Sequence, residues 1–111
     1  MENGAISDAQ ITASSWHTPS DPKAYVPSRA RLHTQHNEDP YLAGGWVAAP
    51  DDVYPWLQVH LGNETFKVTR VATQGRNFYK QWVKKYKLQY SQDGVSFNYY
   101  KAYGETKHKV M

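Results

Sequence analysis

A chain of 111 residues has the material for one buried core, and a second domain would leave each half too small to be stable without staples. Hydrophobic residues at 40% and charged residues at 21% exclude a disordered polymer, and the high aromatic share of 14%, with nine Tyr and four Trp, favours strands and exposed binding surfaces. A formal charge of +3, from 13 basic against 10 acidic residues, excludes a dedicated nucleic-acid binder, and the lack of cysteine excludes a disulfide framework or thiolate metal site within these boundaries.

The opening Met1-Glu2-Asn3-Gly4 lacks the basic and apolar regions of a signal peptide, so for a secreted protein the targeting segment is expected outside this chain. No stretch is apolar enough for a transmembrane helix. Gln10 to Ser14 reads as a first strand. From Ser15 to Pro55 runs a segment that holds all six prolines and the Gly44-Gly45 pair, and it predicts a long loop rather than a regular element. A loop of this size in a compact domain is expected to have a task, which places binding residues here before the strands.

Trp56 to Leu61 (WLQVHL) predicts a second strand, with Leu57, Val59 and Leu61 on one face and Gln58 and His60 on the other. Lys67 to Gln74 (KVTRVATQ) is β-branched enough to predict a third. In Tyr86 to Ser91, Tyr86, Leu88 and Tyr90 alternate with polar residues, and after Gln92-Asp93-Gly94 the alternation resumes at Val95, Phe97 and Tyr99. That pattern predicts a hairpin turning at Asp-Gly. Short alternating runs between Gly, Pro, Asn and Asp clusters, without helical periodicity, predict an all-β sandwich or barrel.

The segments GAISDAQITASS from Gly4, Arg29-Ala30-Arg31-Leu32, Gly45-Trp46, Trp56-Leu57-Gln58-Val59, Val71-Ala72-Thr73-Gln74-Gly75-Arg76 and YKLQYSQDG from Tyr86 occur in the order found in one family. The chain resembles the discoidin domain, also called the coagulation factor V/VIII type C domain, from its first residues to about Tyr103. The resemblance implies a distorted jelly-roll β-sandwich of antiparallel sheets, galactose-binding-domain-like, whose loops project as spikes and contact the ligand. It further implies an extracellular, non-catalytic module, secreted or part of an ectodomain, which binds a cell-surface or matrix protein such as collagen, a glycan or an anionic phospholipid headgroup.

Three features depart from the family's pattern. Its flanking cysteines are absent, the chain stops at Met111 before the family's closing strands, and His60 stands where the family usually has an acidic residue. The first two predict a single but incomplete discoidin domain over residues 1–111, and an inactive fragment is the corresponding alternative.

By position, the first spike is Ser15 to Ser28 and the second Gly75 to Trp82. In the first, Trp16, His17, Lys23 and Tyr25 are ligand-contact candidates, with Trp16 reading equally well as packing against the loop base. The polar Ser20 and Asp21 at its tip point away from deep lipid insertion, leaving phosphatidylserine binding as an alternative rather than the first expectation. The second offers Arg76, Phe78, Tyr79, Lys80 and Trp82, where aromatic tips alternate with cations suited to phosphate or sulfate. Phe78 and Tyr79 are the stronger candidates, and Trp82 is balanced between ligand contact and packing.

Arg29 and Arg31 match arginines that brace the family's loops against carboxylates, and Trp46 and Trp56 match core positions. His33 and His36 have a spacing that would suit zinc on a helix but lie in a loop without an evident third ligand, so no metal site is assigned. Asp51-Asp52 and Glu38-Asp39 offer clustered oxygens of the kind calcium accepts in a lectin-like module, although solvated loop carboxylates are the favoured reading and no cofactor is required. Asn63-Glu64-Thr65 is an N-glycosylation sequon in the turn after WLQVHLG. No nucleophile with a base, paired carboxylates or Gly-rich phosphate loop suggests catalysis.

Overall fold

A computed structural model describes residues 5–19 and 22–100. Ser20 and Asp21, at the expected tip of the first loop, and residues 101–111 lie outside the described residues. Among the described residues, six short strands form three separate antiparallel pairs: β1 (Ile11–Ala13) with β4 (Leu57–Val59), β2 (Asn37–Glu38) with β3 (Tyr41–Leu42), and β5 (Gln89–Tyr90) with β6 (Asn98–Tyr99).

The first pair follows from alternation. Ile11 is buried and faces Val59, Thr12 is exposed opposite Gln58, and Ala13 meets Leu57. The pairing continues beyond the strands, with Ser14 N–H donating to the Trp56 carbonyl at 3.0 Å and His60 N–H to the Gln10 carbonyl at 2.8 Å. Gln10 Nε2 also donates to the His60 carbonyl at 2.8 Å, so this position is clamped through its backbone while its side chain is exposed. The His-for-acid departure is therefore accommodated at the surface.

The C-terminal pair is the expected hairpin, with Gln89 opposite Tyr99 and Tyr90 opposite Asn98, a register centred on Gly94. Only two residues of each predicted run enter the ladder, and a further bond from Tyr100 N–H to the Leu88 carbonyl, at 2.8 Å, extends it. Gly94 has φ +75°, which a side chain would strain, and Asp93 Oδ1 accepts from Val95 N–H and Ser96 N–H at 2.9 Å each. Those amides, together with the Ser91 hydroxyl, hold the Asp93 carboxyl below its ordinary range.

The expected strand from Lys67 to Gln74 is not formed, and residues 61–75 are exposed throughout. β-branching supplies propensity, but Val68 and Val71 are three residues apart and would occupy opposite faces of a strand, so neither face gains an apolar row to bury.

The predicted loop of residues 15–55 supplies most of the core. It contains a 3-10 helix, Pro27–Ala30, and the β2–β3 pair, and it buries Ala24, Tyr25 and Ala43 with Tyr41 and Val47 packed against them. Trp46 is half-buried and donates from Nε1 to the Ser15 carbonyl at 2.9 Å, whereas Trp56 is 50% exposed, outside the core position expected for it. Among the described residues, no helix is long and apolar enough to cross a membrane.

Candidate functional site: an aromatic loop on a packed base

The second loop is tied to residues 15–55 at one close approach. Gly44 and Asn77 form an antiparallel bridge, and a Cβ on Gly44 would lie 2.5 Å from Asn77 Cβ and 2.8 Å from its carbonyl oxygen. Only glycine fits that contact. Asn77 Oδ1 accepts from His36 N–H at 2.8 Å, and Gln74 Oε1 accepts from His33 N–H at 2.7 Å, so side chains on both sides of Gly75 fasten it to residues 33–36.

Arg76 turns inward from this anchor. Its Nη1 donates to Gln81 Oε1 at 2.7 Å and its Nη2 to the Tyr41 hydroxyl at 3.0 Å. The guanidinium lies 4.2 Å from the Tyr79 ring centroid and 5.2 Å from that of Tyr25, within cation–π range of both. Tyr25 is buried, and its hydroxyl approaches that of Tyr41 at 3.4 Å. That hydroxyl contact, then burial, pushes the Tyr25 phenol above its ordinary pKa.

Phe78, Tyr79, Lys80 and Trp82 face outward. Phe78 is 70% and Trp82 64% exposed, and Tyr79 and Lys80 are exposed beside them. The Phe78 ring stacks on His36 at 4.5 Å with the planes 10° apart, and Tyr79 meets Phe78 edge-on at 5.1 Å. A recess of about 310 Å³ links the two loops, with His17, Tyr25, Val47, Arg76 and Gln81 in its wall. His17 packs its ring 5.1 Å from Tyr25, and its N–H donates to the Val47 carbonyl at 2.8 Å. Trp16 is exposed and donates from Nε1 to the Pro22 carbonyl at 3.1 Å, while Lys23 lies at the surface nearby.

The arginines at 29 and 31 differ in their acceptors. Arg29 donates to the carbonyls of Ala43 at 2.7 Å and Gln35 at 2.5 Å, and burial lowers its guanidinium pKa. Arg31 reaches the Ile6 carbonyl at 2.7 Å and the Asp8 carboxylate at 2.6 Å, joining the 3-10 helix Pro27–Ala30 to the chain ahead of β1.

Asp52 accepts from the hydroxyls of Ser14, at 2.5 Å, and Ser15, at 2.6 Å. Those bonds hold its carboxyl below the ordinary range. His36 bonds Glu38 rather than converging with His33, and among the described residues no three His, Asp or Glu side chains gather as a metal site. Asn63 is exposed. His36 and Tyr41 were not singled out as recognition residues by sequence, because their place in the site depends on contacts with Arg76, Phe78 and Tyr79, about 40 residues away.

Short antiparallel pairs that carry aromatic and basic side chains on fastened loops define the class, an all-β scaffold with loop-borne side chains. The family description of the F5/8 type C domain matches residues 10–111, and the chain belongs to that family. It is 37% identical over its full length to EGF-like repeat and discoidin I-like domain-containing protein 3 of Mus musculus, where it spans 22% of that protein. Identity is 36% over the full chain to lactadherin of Sus scrofa, of which it spans 26%. With coagulation factor VIII of Homo sapiens it is 38% over 96% of the chain, corresponding to 4% of that protein. The chain thus spans about a quarter or less of the length of these curated relatives. A search of the solved structures finds no match.

Proposed function

We propose that the chain acts as one extracellular, non-catalytic recognition domain that binds a cell-surface or matrix ligand through the loop at residues 75–82. The observation that carries this reading is the division of labour in that loop. Arg76 and Asn77 face inward and hold it, while Phe78, Tyr79, Lys80 and Trp82 remain at the surface. Exposed aromatic rings supply contact area at low conformational cost, and Lys80 with the exposed Lys84 and Lys85 draws in an anionic partner. The first loop contributes His17 in the wall of the shared recess, with Trp16 and Lys23 exposed elsewhere on the same loop. The exposed Asn63 sequon supports an extracellular setting, where a glycan on that turn has room.

Three ligand chemistries fit such a surface, and one panel separates them. Retention on phosphatidylserine vesicles but not on neutral vesicles identifies a lipid headgroup. Sugar-specific retention on a glycan array identifies a lectin, and its loss in chelator assigns a calcium-assisted site. Retention on immobilised collagen alone identifies a matrix protein. Failure to retain the chain on any of these surfaces, or retention that ignores the loop residues, would sink the proposal.

A further inference from the structure

Phe78 is held at φ +78°, a backbone region that bulky side chains avoid and that persists only where neighbours enforce it. We propose that His36 is the positioning residue that enforces it, its imidazole forming the platform on which Phe78 and Tyr79 are presented to ligand. This inference rests on the reading of residues 75–82 as the recognition loop.

The His36 side chain is only 5% exposed. One face carries the Phe78 ring in a near-parallel stack at 4.5 Å, and Tyr79 and Tyr41 approach at 5.8 Å and 5.2 Å with interplanar angles of 70° and 82°. The imidazole is itself fixed, since Nε2 lies 2.8 Å from Glu38 Oε1. A carboxylate only accepts, so Nε2 carries the proton. The His36 amide completes the clamp by donating to Asn77 Oδ1, one residue before Phe78.

The consequence is a preorganised tip. His36 stacks on Phe78, which stays 70% exposed, while the Arg76 guanidinium sits over Tyr79. A ligand meets rings whose orientation is already set and loses less freedom in ordering them. His36 therefore acts through Phe78 and Tyr79 without touching the ligand.

The test compares His36→Ala with His36→Phe in the full chain. Its first readout needs no ligand, being the rate of limited chymotryptic cleavage after Phe78 and Tyr79, with the exposed Tyr90 as internal reference. Cleavage of this kind tracks the population of the open loop. Loss of a stacked pair is expected to raise cleavage at the tip by about tenfold in His36→Ala. Cleavage after Tyr90 stays unchanged, and His36→Phe, which restores a flat ring, returns the tip rate to that of the parent.

An equal rise at both places, no rise at the tip, or no rescue by Phe overturns the positioning role. Binding to the vesicle, glycan and collagen panel is the second readout. Tip cleavage that behaves as expected in a chain that binds nothing leaves the platform standing and removes the recognition reading. Unchanged tip cleavage with intact binding does the reverse.

Discussion

Residues 15–55 and residues 61–75 stand in opposite conditions. The first stretch is rich in proline and poor in regular structure, yet it buries Ala24, Tyr25 and Ala43 and fastens the loop at residues 75–82 through Gly44, His36 and Tyr41. The second carries Phe66, Val68 and Val71, all exposed, and no strand among the described residues. Order here comes from side-chain contacts between distant segments. β-propensity without a partner edge or a one-sided apolar row does not produce a strand.

The sharpest way to break this contrast is Tyr25→Ala. Removing the largest ring of a small core and the partner of Tyr41 is expected to destabilise the chain by about 3 kcal/mol or more in a urea melt. A loss below about 1 kcal/mol would mean that residues 15–55 are not the centre of stability. Gly44→Ala comes next, because its new methyl meets Asn77 Cβ and the Asn77 backbone rather than the far end of a flexible side chain. It is expected to cost about 2 kcal/mol and to accelerate hydrogen exchange at the Asn77 amide. Native exchange at that amide would show that the bridge tolerates the separation.

A smaller effect belongs to the hairpin. Asp93 has a folded pKa held below its unfolded value, so its contribution is fully present above about pH 3.9 and disappears as pH falls through the lower folded value. An NMR titration should show the Val95 and Ser96 amides losing their bonded shifts only below that range, and Asp93→Asn should remove this step. A midpoint above the ordinary carboxylate value would contradict the arrangement. The smallest effect is predicted for Val68→Ser, where the parent side chain is 61% exposed: a change within about 0.5 kcal/mol. A larger loss would show that residues 61–75 are packed in solution and would erase the contrast.

Much of the β framework was legible in the sequence for local reasons. Ile11 and Ala13 alternate with Thr12, Leu57 and Val59 flank Gln58, and Asp93-Gly94 marks a turn, so β1, β4 and the hairpin could be placed from neighbours in the chain. The exposed tips Phe78 and Tyr79 were also visible as apolar residues set among cations. Lys67 to Gln74 misled because its residue types suit a strand while the spacing of its valines does not.

The platform beneath the tips was hidden for a different reason. His36 stacks on Phe78 and Tyr41 receives Arg76 only because the Gly44–Asn77 approach brings segments about 40 residues apart together, and no local pattern encodes that pairing. Trp56 shows the converse. A family position suggested burial, and its environment in this chain leaves half the residue at the surface.

Recognition through the loop at residues 75–82 is tested most directly by replacing Phe78, Tyr79 and Lys80 together with alanine and measuring binding across the vesicle, glycan and collagen panel. The predicted result is a loss of about thirtyfold or more on whichever surface retains the parent chain, with an unchanged urea midpoint. Parent-like binding by the triple variant would contradict the assignment.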